Sequence, residues 1–316
     1  MKSKIIIAIT AAALLSQCEK QQQSVEAPDQ TTPQVQLQTL APASPYEGMS
    51  LVWRDEFDGA ELDRTKWTVM DRYASPKKTH LYFRDHRDNV RVEDGKLILQ
   101  AHYVQLPNPQ KGKAWKPSLE KDKRFTQDSI PVTSGRVQTA DKKNNLASWK
   151  YGRIDVRAKL SPVHGTHAAI WTMGSDFFDI NWPRAGEIDI LEHLGRSPDA
   201  SWNVIHKGDA KGKDSTVNNN GKKPFPGKSL ADGKFHTFSV VWNEKEIVWF
   251  CDNVETYRFD VTSADVRYDI KGKAYGNPFK TAHFLILDLT IGGWGGPWSN
   301  KELPATFEID YVRVYQ

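Results

Sequence analysis

Short runs of β-branched and aromatic residues alternate with polar turns along the chain from about Met49 to the C-terminus. In YGRIDVRAKL, the apolar side chains of Ile154, Val156 and Ala158 alternate with charged ones, and this period of two predicts a strand with one buried face. Turn sequences such as EDGK, ADGK and CDN separate the runs, and no amphipathic helix longer than two turns and no internal repeat is evident. About a dozen such runs predict one all-β domain, a sandwich or a barrel.

Two long polar segments interrupt this pattern. They are NPQKGKAWKPSLEKDKRFTQDS, residues 108–129, and KGDAKGKDSTVNNNGKKPFPGKS, residues 207–229, and both are basic and poor in apolar residues. This composition predicts surface loops, which are candidates to border a cleft.

The first residues, MKSKIIIAITAAALLSQC, have a basic start, an apolar centre and then small or polar residues. This order is typical of an export signal, and the apolar part is too short to span a membrane as a mature helix. LLSQC resembles a bacterial lipobox, whose cysteine becomes the lipidated first residue of the mature protein, so Cys18 is the predicted lipidation site. Gln17 departs from the small residue usual before that cysteine, which leaves ordinary signal cleavage nearby as the alternative.

The predicted domain boundaries follow from these compositions. Residues 1–18 form the signal peptide, and residues 19–48 are rich in Gln, Pro, Ser and Thr. Such a segment cannot bury enough apolar surface to fold, which predicts a flexible tether. Residues 49–316 form the predicted folded domain.

Composition and charge narrow the possible functions. The formal net charge of +4 is spread along 316 residues, so nothing requires a nucleic acid or an acidic polymer as a partner. The 11 tryptophans suit flat ligands such as sugar faces, although core packing is their commonest role. If Cys18 is lipidated or removed, no intramolecular disulfide can form, and Cys251 in the apolar run IVWFCDN is expected to be a small buried residue.

The stretch AGEIDILEHLG places three carboxylates, those of Glu187, Asp189 and Glu192, in an otherwise apolar run. Residues i and i+2 of a strand share a face, so Glu187 and Asp189 point the same way, whereas Glu192 is expected on the opposite face. One β-bulge among Ile190 and Leu191 would restore the parity and bring all three acids to one face. Bulges gather beside active sites, so this pattern predicts a bulged functional strand.

With such a bulge, the backbones of Glu187 and Glu192 lie about 13 Å apart, and side chains that lean inward bring their carboxyl groups to roughly 5–6 Å. At that separation one carboxylate can attack an anomeric carbon while the other protonates the leaving oxygen. Asp189 lies between them and can raise the pKa of a neighbour or share its proton. A surface strand with alternating acids and a metal site are the alternatives, although three acids on one strand form a poor metal cage without other ligands.

GEIDILEHLG resembles the E-x-D-x-x-E signature of glycoside hydrolase family 16, in the bulged form typical of laminarinase-like members. Other stretches follow in family order: LVWRDEFDGAELDRTKWT, TSGRVQT…WKYGRIDVRAKL, NWPRAGEIDI, FHTFSVVWN and IDYVRVYQ. The resemblance covers nearly all of the folded part. It implies a β-jelly-roll sandwich of two stacked antiparallel sheets with a concave substrate cleft, and an endo-acting retaining β-glycosidase with no cofactor for catalysis.

The resemblance also implies roles for individual residues. Glu187 is the expected nucleophile and Glu192 the expected general acid/base, while Asp189 holds Glu187 in its protonation and hydrogen-bonding state. The matching substrate-binding positions are Trp182, which stacks near the cleaved sugar, and the cleft-lining residues Trp171, Arg136 and His206. For each aromatic residue core packing is the alternative, and His206 could equally be an ordinary hydrogen-bonded histidine.

Laminarinase-like members often hold a structural calcium between the first and last strands. The matching positions here are Glu56 and Asp310, with a backbone carbonyl near Gly95. Oxygen ligands from the two chain ends suit a hard cation that staples a domain without disulfides. The alternative is that two acids merely flank the terminal strands.

Two departures from the family pattern bear on the substrate. Where laminarinases usually read G-x-W-P-A-[FI]-W, this chain reads GTHAAIW, so His167 and Ala168 replace Trp and Pro. Before NVRVEDGKL the family commonly carries an Asn-Asn-Glu stretch, and this chain has KKTHLYFRDHRDNV instead. We expect both changes where donor-side sugars are recognised, which leaves the chemistry intact and the identity of the sugar open.

The resulting hypothesis is a hydrolase of β-1,3- or mixed-linkage β-glucan. The alternative substrate is a β-galactosyl chain, such as a galactan or a poly-N-acetyllactosamine or mucin glycan, and exposed Lys and Arg could favour sulfated or sialylated chains. A non-catalytic glycan-binding lipoprotein is the alternative from another class, but it would have no need of all three carboxylates. We expect a monomer, secreted across the bacterial inner membrane, that meets a membrane only through a lipid anchor at the cell envelope. With ordinary signal cleavage it would be periplasmic or extracellular.

Overall fold

In this computed structural model, residues 46, 48–75, 80–114 and 116–316 are described. They form β-strands with two α-helices of only four residues each and five short 3₁₀ helices. The predicted signal peptide, Cys18 and nearly all of the predicted tether lie outside the described residues. No helix in this described part is long and apolar enough to cross a membrane.

The described elements are short and closely spaced. The strands are β1 (Leu51–Asp55), β2 (Thr68–Val69), β3 (Arg72–Tyr73), β4 (Leu81–Phe83), β5 (Val90–Glu93), β6 (Lys96–Pro107), β7 (Ser129–Ser134), β8 (Arg136–Gln138), β9 (Gly152–Lys159), β10 (Thr166–Gly174), β11 (Glu187–Leu194), β12 (Trp202–Gly208), β13 (Asp214–Asn218), β14 (His236–Trp242), β15 (Glu246–Cys251), β16 (Val254–Asp260), β17 (Tyr268–Ile270), β18 (Lys273–Tyr275), β19 (His283–Ile291) and β20 (Ala305–Tyr315). The helices are α1 (Lys123–Thr126) and α2 (Phe177–Ile180).

The strands form two main sheets. The larger has the order β16-β15-β14-β9-β20-β6-β7-β4-β3, with β1 paired to β20 and β5 to β6, and the smaller has the order β13-β12-β11-β10-β19-β8-β2. Strands β17 and β18 make a separate hairpin. The predicted jelly-roll sandwich of stacked sheets is confirmed; among the described pairs, β4 and β7 depart from the antiparallel rule by running parallel.

One apolar cluster lies between the two sheets. It contains Ile154 and Val156 of β9 in the larger sheet together with Ile188 and Leu191 of β11 in the smaller one. The period-two pattern of β9 is therefore confirmed on its core face. Cys251 is buried in the same cluster as predicted, and burial raises the pKa of its thiol.

The opposite face of β9 differs from the sequence prediction. Arg153 and Asp155 alternate with the core residues, yet both side chains are also buried, at 1% exposure each. The local pattern does not predict this burial because a distant residue, Tyr46, packs over the pair. The Tyr46 hydroxyl donates a hydrogen bond to Asp155, and the Arg153 guanidinium lies 5.0 Å from the Tyr46 ring.

Two of the predicted turns have the expected backbone. Asp94 and Gly95 of EDGK both have positive φ, at 51° and 68°, between β5 and β6. Asp252 and Asn253 of CDN do the same, at 46° and 64°, between β15 and β16. Positive φ at both central residues matches the twist of a two-residue hairpin, which is why Asp, Asn and Gly occur there.

The two polar segments are only partly loops. Residues 108–129 contain α1, and residues 207–229 contribute β13, which pairs with β12 at the edge of the smaller sheet. The prediction of a plain loop was wrong for the second segment. An edge strand that is half-exposed on both faces needs no apolar alternation, so composition conceals it.

Candidate active site

The predicted bulge is present on β11. Against β10, Leu191 pairs with Ile170 and Asp189 pairs with Trp171, which leaves Ile190 as the extra residue. The register against β12 shifts over the same interval. The extra residue restores the parity, so Glu187, Asp189 and Glu192 share the outer face of the strand while the isoleucines and Leu191 pack in the core.

Contacts from both sheets hold the bulge in place. The Asn203 side-chain amide on β12 donates to the carbonyl of Ile190 at 2.8 Å, and Thr256 on β16 donates to the Asn203 side-chain oxygen at 2.7 Å. The indole of Trp249 on β15 donates to the carbonyl of Asp189 at 2.9 Å. The larger sheet therefore fixes the carboxylate-bearing strand through the core. Sequence reasoning missed these residues because nothing local links them to β11.

Burial dominates the electrostatics of the first two acids. It raises the pKa of Glu187 to about 7, although the charge of His206 and hydrogen bonds from Asp189 and Trp182 oppose the shift. Asp189 is only 2% exposed, and burial followed by repulsion from Glu187 and Glu192 raises its pKa well above the usual range. The two raised pKa values fit a pair that shares one proton, which Asp189 holds and donates in a hydrogen bond to Glu187.

His206 is held at this cluster by the edge strand. Its Nδ1 lies 3.2 Å from Asp214 Oδ1, and the Thr216 hydroxyl donates to the same carboxylate at 2.8 Å. Its Nε2 faces Asp189 Oδ2 at 3.7 Å, and its ring lies 5.6 Å from the ring of Trp182, which is 42% exposed. His206 is thus both hydrogen-bonded and part of the site. Asp214, in a segment expected to be a loop, was missed.

Trp171 and Arg136 form a stacked pair beside Glu187. The guanidinium lies 4.8 Å from the Trp171 ring, and the indole donates to Asp288 Oδ2 at 3.1 Å. Arg136 Nη1 lies 3.8 Å from the same oxygen. Burial lowers the pKa of Arg136 to about 10, so its charge persists at neutral pH. The structure therefore brings these predicted cleft residues together and adds Asp288 on β19.

A cavity of about 1010 Å³ opens beside Glu187. Its wall is largely aromatic and apolar, which suits the faces of sugar rings. Glu192 does not line it, so the cavity extends from the Glu187 end of β11 away from Glu192. The apolar and aromatic lining residues include Trp171, Met173, Phe177, Phe178, Trp182 and Phe284.

The Glu192 end of the strand carries different neighbours. His167 Nε2 lies 3.0 Å from Glu192 Oε1, and the Trp294 ring lies 5.4 Å from the His167 ring and 5.5 Å from the ring of Trp202. Antiparallel pairing of β10 with β11 sets early β10 residues against late β11 residues. His167 therefore lies beside Glu192, and its expected place among the donor-side sugars stays a prediction. Trp294 was also missed, although its glycine-flanked setting in GGWGG was a signal.

The predicted calcium ligands are engaged by arginines. Both Glu56 oxygens accept hydrogen bonds from Arg313, at 2.9 and 2.8 Å, and Asp310 pairs with Arg157. Gly95 lies in the β5–β6 turn. Carboxylates that guanidinium groups already neutralise do not fit the open oxygen cage that calcium requires, and the calcium site stays a prediction.

Glu187, Asp189 and His206 form the compact metal-capable grouping found among the described residues, with donor atoms within 4.8 Å of one another. It coincides with the carboxylate cluster, so the metal alternative rests on the same side chains as the catalytic one.

Carboxylates clustered on the outer face of a β-sandwich, with burial raising the pKa of Glu187, are typical of a glycoside hydrolase site. The family model described as Glycosyl hydrolases family 16 matches residues 79–313. The chain belongs to this family and is a glycosidase.

Similar proteins support the assignment. The chain is 33% identical over 279 residues to the Beta-glucanase of Rhodothermus marinus, covering 84% of this chain and 85% of that protein. It is 32% identical over 286 residues to the Glucan endo-1,3-beta-glucosidase A1 of Niallia circulans, covering 85% of this chain but only 38% of the relative's length.

A structure from work on endo-acting O-glycanases, which prominent members of the human gut microbiota express to initiate mucin breakdown, superposes with a TM-score of 0.72. It is 29% identical and covers 85% of this chain and 91% of that one.

Proposed function

We propose that this protein is an endo-acting, retaining β-glycosidase whose substrate is a β-1,3- or mixed-linkage β-glucan. The observation that carries the proposal is the bulged strand β11, which gathers Glu187, Asp189 and Glu192 on one face at the end of an aromatic cavity. The glucanase relatives from Rhodothermus and Niallia support the choice of glucan.

The geometry supports distinct roles for the three acids. Glu187 is the nucleophile: once ionised, it attacks the anomeric carbon and forms a glycosyl ester. Glu192 protonates the departing oxygen and then removes a proton from the water that cleaves the ester. Asp189, kept protonated by burial, donates to Glu187 and exchanges the proton with it as the charge on Glu187 changes.

The neighbouring residues act on binding and orientation. Trp182 is exposed beside Glu187 and offers its ring to the sugar, while Trp171 and Arg136 form the wall. His206, oriented by Asp214, places a polar ring nitrogen opposite Asp189. His167 contacts Glu192 through its Nε2 and so helps to orient that carboxyl group.

A β-galactosyl chain, including mucin-type glycans, is the second candidate substrate. Two observations favour it: the structural similarity to an endo-acting O-glycanase, and the smaller polar His167 beside Glu192 in place of the tryptophan usual in laminarinases. A smaller side chain there leaves more room for a differently shaped sugar.

The test is to incubate the protein with laminarin, mixed-linkage β-glucan, agarose, keratan-type chains and mucin, and to size the products. Oligosaccharides from either glucan, with retained anomeric configuration by proton NMR, support the main proposal. Products from the galactose-containing chains alone replace the glucan by the second candidate. If the protein binds glycans but cleaves none of them, it is a glycan-binding protein, and the catalytic proposal is wrong.

We infer from the lipobox-like LLSQC that Cys18 anchors the protein at the bacterial cell envelope and that the catalytic domain acts there as a monomer. Labelling with a radioactive fatty acid and cell fractionation test the anchor. Cys18→Ala is expected to abolish labelling and release the protein from membranes, and an unchanged membrane fraction would contradict it.

A further inference from the structure

The cavity beside Glu187 is lined by more cations than acids. Arg72, Arg136, Lys142 and Lys143 contribute to its wall, and the acids among the described lining residues are Glu187 and Asp141. The remaining lining is mostly apolar or aromatic, so it offers few protein groups that could balance these charges. A neutral glucan offers nothing to balance them.

The two arginines differ in their partners. Arg136 contacts Gln138 Oε1 at 3.2 Å and approaches Asp288, whose carboxylate also accepts from Trp171. Arg72 on β3 makes no hydrogen bond or ion pair with another described residue. It is exposed to solvent within the cavity, and partial desolvation there lowers its pKa.

The arginines also repel each other. The charge of Arg72 is among the causes that lower the pKa of Arg136, so the two guanidinium groups are close enough to interact. Asp288 is buried and already engaged by Arg136 and Trp171, and no described acid forms an ion pair with Arg72. An anion bound in the cavity beside Arg72 would relieve this repulsion. The planar donors of the guanidinium fit sulfate and carboxylate groups.

The position of the cavity assigns it to one side of the cleaved bond. Glu192, the proposed acid, protonates the glycosidic oxygen, so leaving-group sugars lie towards Glu192. Donor sugars then extend past Glu187 into the cavity that holds Arg72. An anionic group recognised there belongs to the donor part of the chain.

We propose that this cavity binds an anionic substituent, a sulfate ester or a carboxylate, on a donor-side sugar of the substrate, with Arg72 as its main contact. The inference rests on the proposed function, because it uses the donor side that the assignment of Glu187 and Glu192 defines. Arg136 forms the supporting wall. The ligand is therefore a charged glycan rather than a neutral one.

The experiment measures binding separately from cleavage. Glu187→Gln in the full protein serves as the non-cleaving background, and Arg72→Gln is added to it. Arg54→Gln is the matched control, because Arg54 is an exposed arginine on β1 that does not line the cavity. The probes are a short laminarin-derived oligosaccharide with its sulfated and carboxymethylated derivatives, and a short poly-N-acetyllactosamine oligosaccharide with and without sulfate.

For at least one backbone, calorimetry is expected to show the anionic derivative binding about tenfold more tightly than its neutral parent, as for one charge-assisted arginine contact. This preference should vanish with Arg72→Gln, persist with Arg54→Gln and shrink as salt is raised. Tighter binding of the sulfated derivatives alone assigns a sulfate, and tighter binding of both derivatives assigns any anion. The proposal is overturned if neutral parents bind equally well, or if the preference survives Arg72→Gln.

Cleavage by the wild-type protein separates the two proposals. If the wild type cleaves neutral glucan but no anionic preference depends on Arg72, the proposed function stands and this inference fails. If the Arg72-dependent preference is present but the wild type cleaves none of the probes, the binding site stands and the proposed function fails.

Discussion

Two groups of charged side chains, one in each sheet, contrast in how their charges are balanced. In the larger sheet, Arg153 and Asp155 meet at 2.7 Å, and Ser239 and Tyr46 add hydrogen bonds to the pair. In the smaller sheet, the group on β11 consists of acids alone. Charge is neutralised by an opposite charge in the first group and by a bound proton in the second.

Buried polar atoms without a hydrogen-bond partner help to distinguish the roles of the two groups. Asp155 has both carboxylate oxygens hydrogen-bonded, although Arg153 Nη1 has no partner. Asp189 Oδ2 is buried without a hydrogen bond, and the pKa values of Glu187 and Asp189 are raised. Glu187 and Asp189 can therefore share a proton, which suits a catalytic site and which a structural ion pair does not need. The first group stabilises the fold, whereas the second group reduces stability in return for reactivity.

Glu187→Gln should have the largest effect. The amide can neither ionise nor form a glycosyl ester, so kcat is expected to fall by about 10³-fold or more. Steady-state assays of reducing-end release measure this change, with the exposed Glu244→Gln as the control that keeps full activity. Substantial activity in Glu187→Gln would show that another group is the nucleophile.

Asp155→Asn removes the counter-charge of the buried Arg153 and tests whether the ion pair in the larger sheet stabilises the fold. The free energy of unfolding is expected to fall by about 3–5 kcal/mol, because an uncompensated guanidinium remains buried. Urea unfolding measures the loss, and Asp58→Asn on the exposed surface should change stability by no more than about 0.5 kcal/mol. Activity per folded molecule should be unchanged; equal stability of the two variants would contradict the role of the ion pair.

The pH dependence of stability should reveal the bound proton. Since the pKa of Glu187 is raised to about 7 from an ordinary value of 4.5, the folded state holds a proton that the unfolded state releases. Stability is therefore greatest below the unfolded pKa and decreases as pH rises from about 4.5 to 7, by about 3 kcal/mol for Glu187. Comparing urea unfolding of the wild type and Glu187→Gln from pH 4 to 8 isolates this contribution. Parallel curves would rule out the raised pKa.

Asp189→Asn makes the comparison sharpest, because it repeats the Asp155→Asn change in the other group. Asn can still donate to Glu187 but cannot share a proton, so kcat is expected to fall by about 10- to 100-fold. Stability at neutral pH should be nearly unchanged, since burial already keeps Asp189 protonated and Asn replaces one neutral side chain by another of similar size. Kinetics and urea unfolding of the same preparation test both expectations. A loss of stability as large as that of Asp155→Asn would mean that the two groups serve the same purpose.

The local pattern predicted much of the fold and of the carboxylate cluster. Period-two runs located most of the strands, and turn chemistry located hairpins such as Asp94-Gly95. The odd spacing of Glu192 from Glu187 required a bulge, which lies at Ile190. These features depend on residues within one strand or one turn, so the sequence contains them directly.

The remaining features depend on pairing between distant segments. The pairing of β10 with β11 sets His167 beside Glu192, and β13 brings Asp214 to His206. Trp249 and Asn203 fix the bulge from other strands. In the same way, Tyr46 packs over Arg153 and Asp155 from outside their strand and helps to bury them.

The sequence by itself therefore determined which strands form and which of them bears the acids. Only the tertiary structure decided which side chains surround those acids. Strand register and the stacking of two sheets join residues that are far apart in the chain, and no local period carries that information.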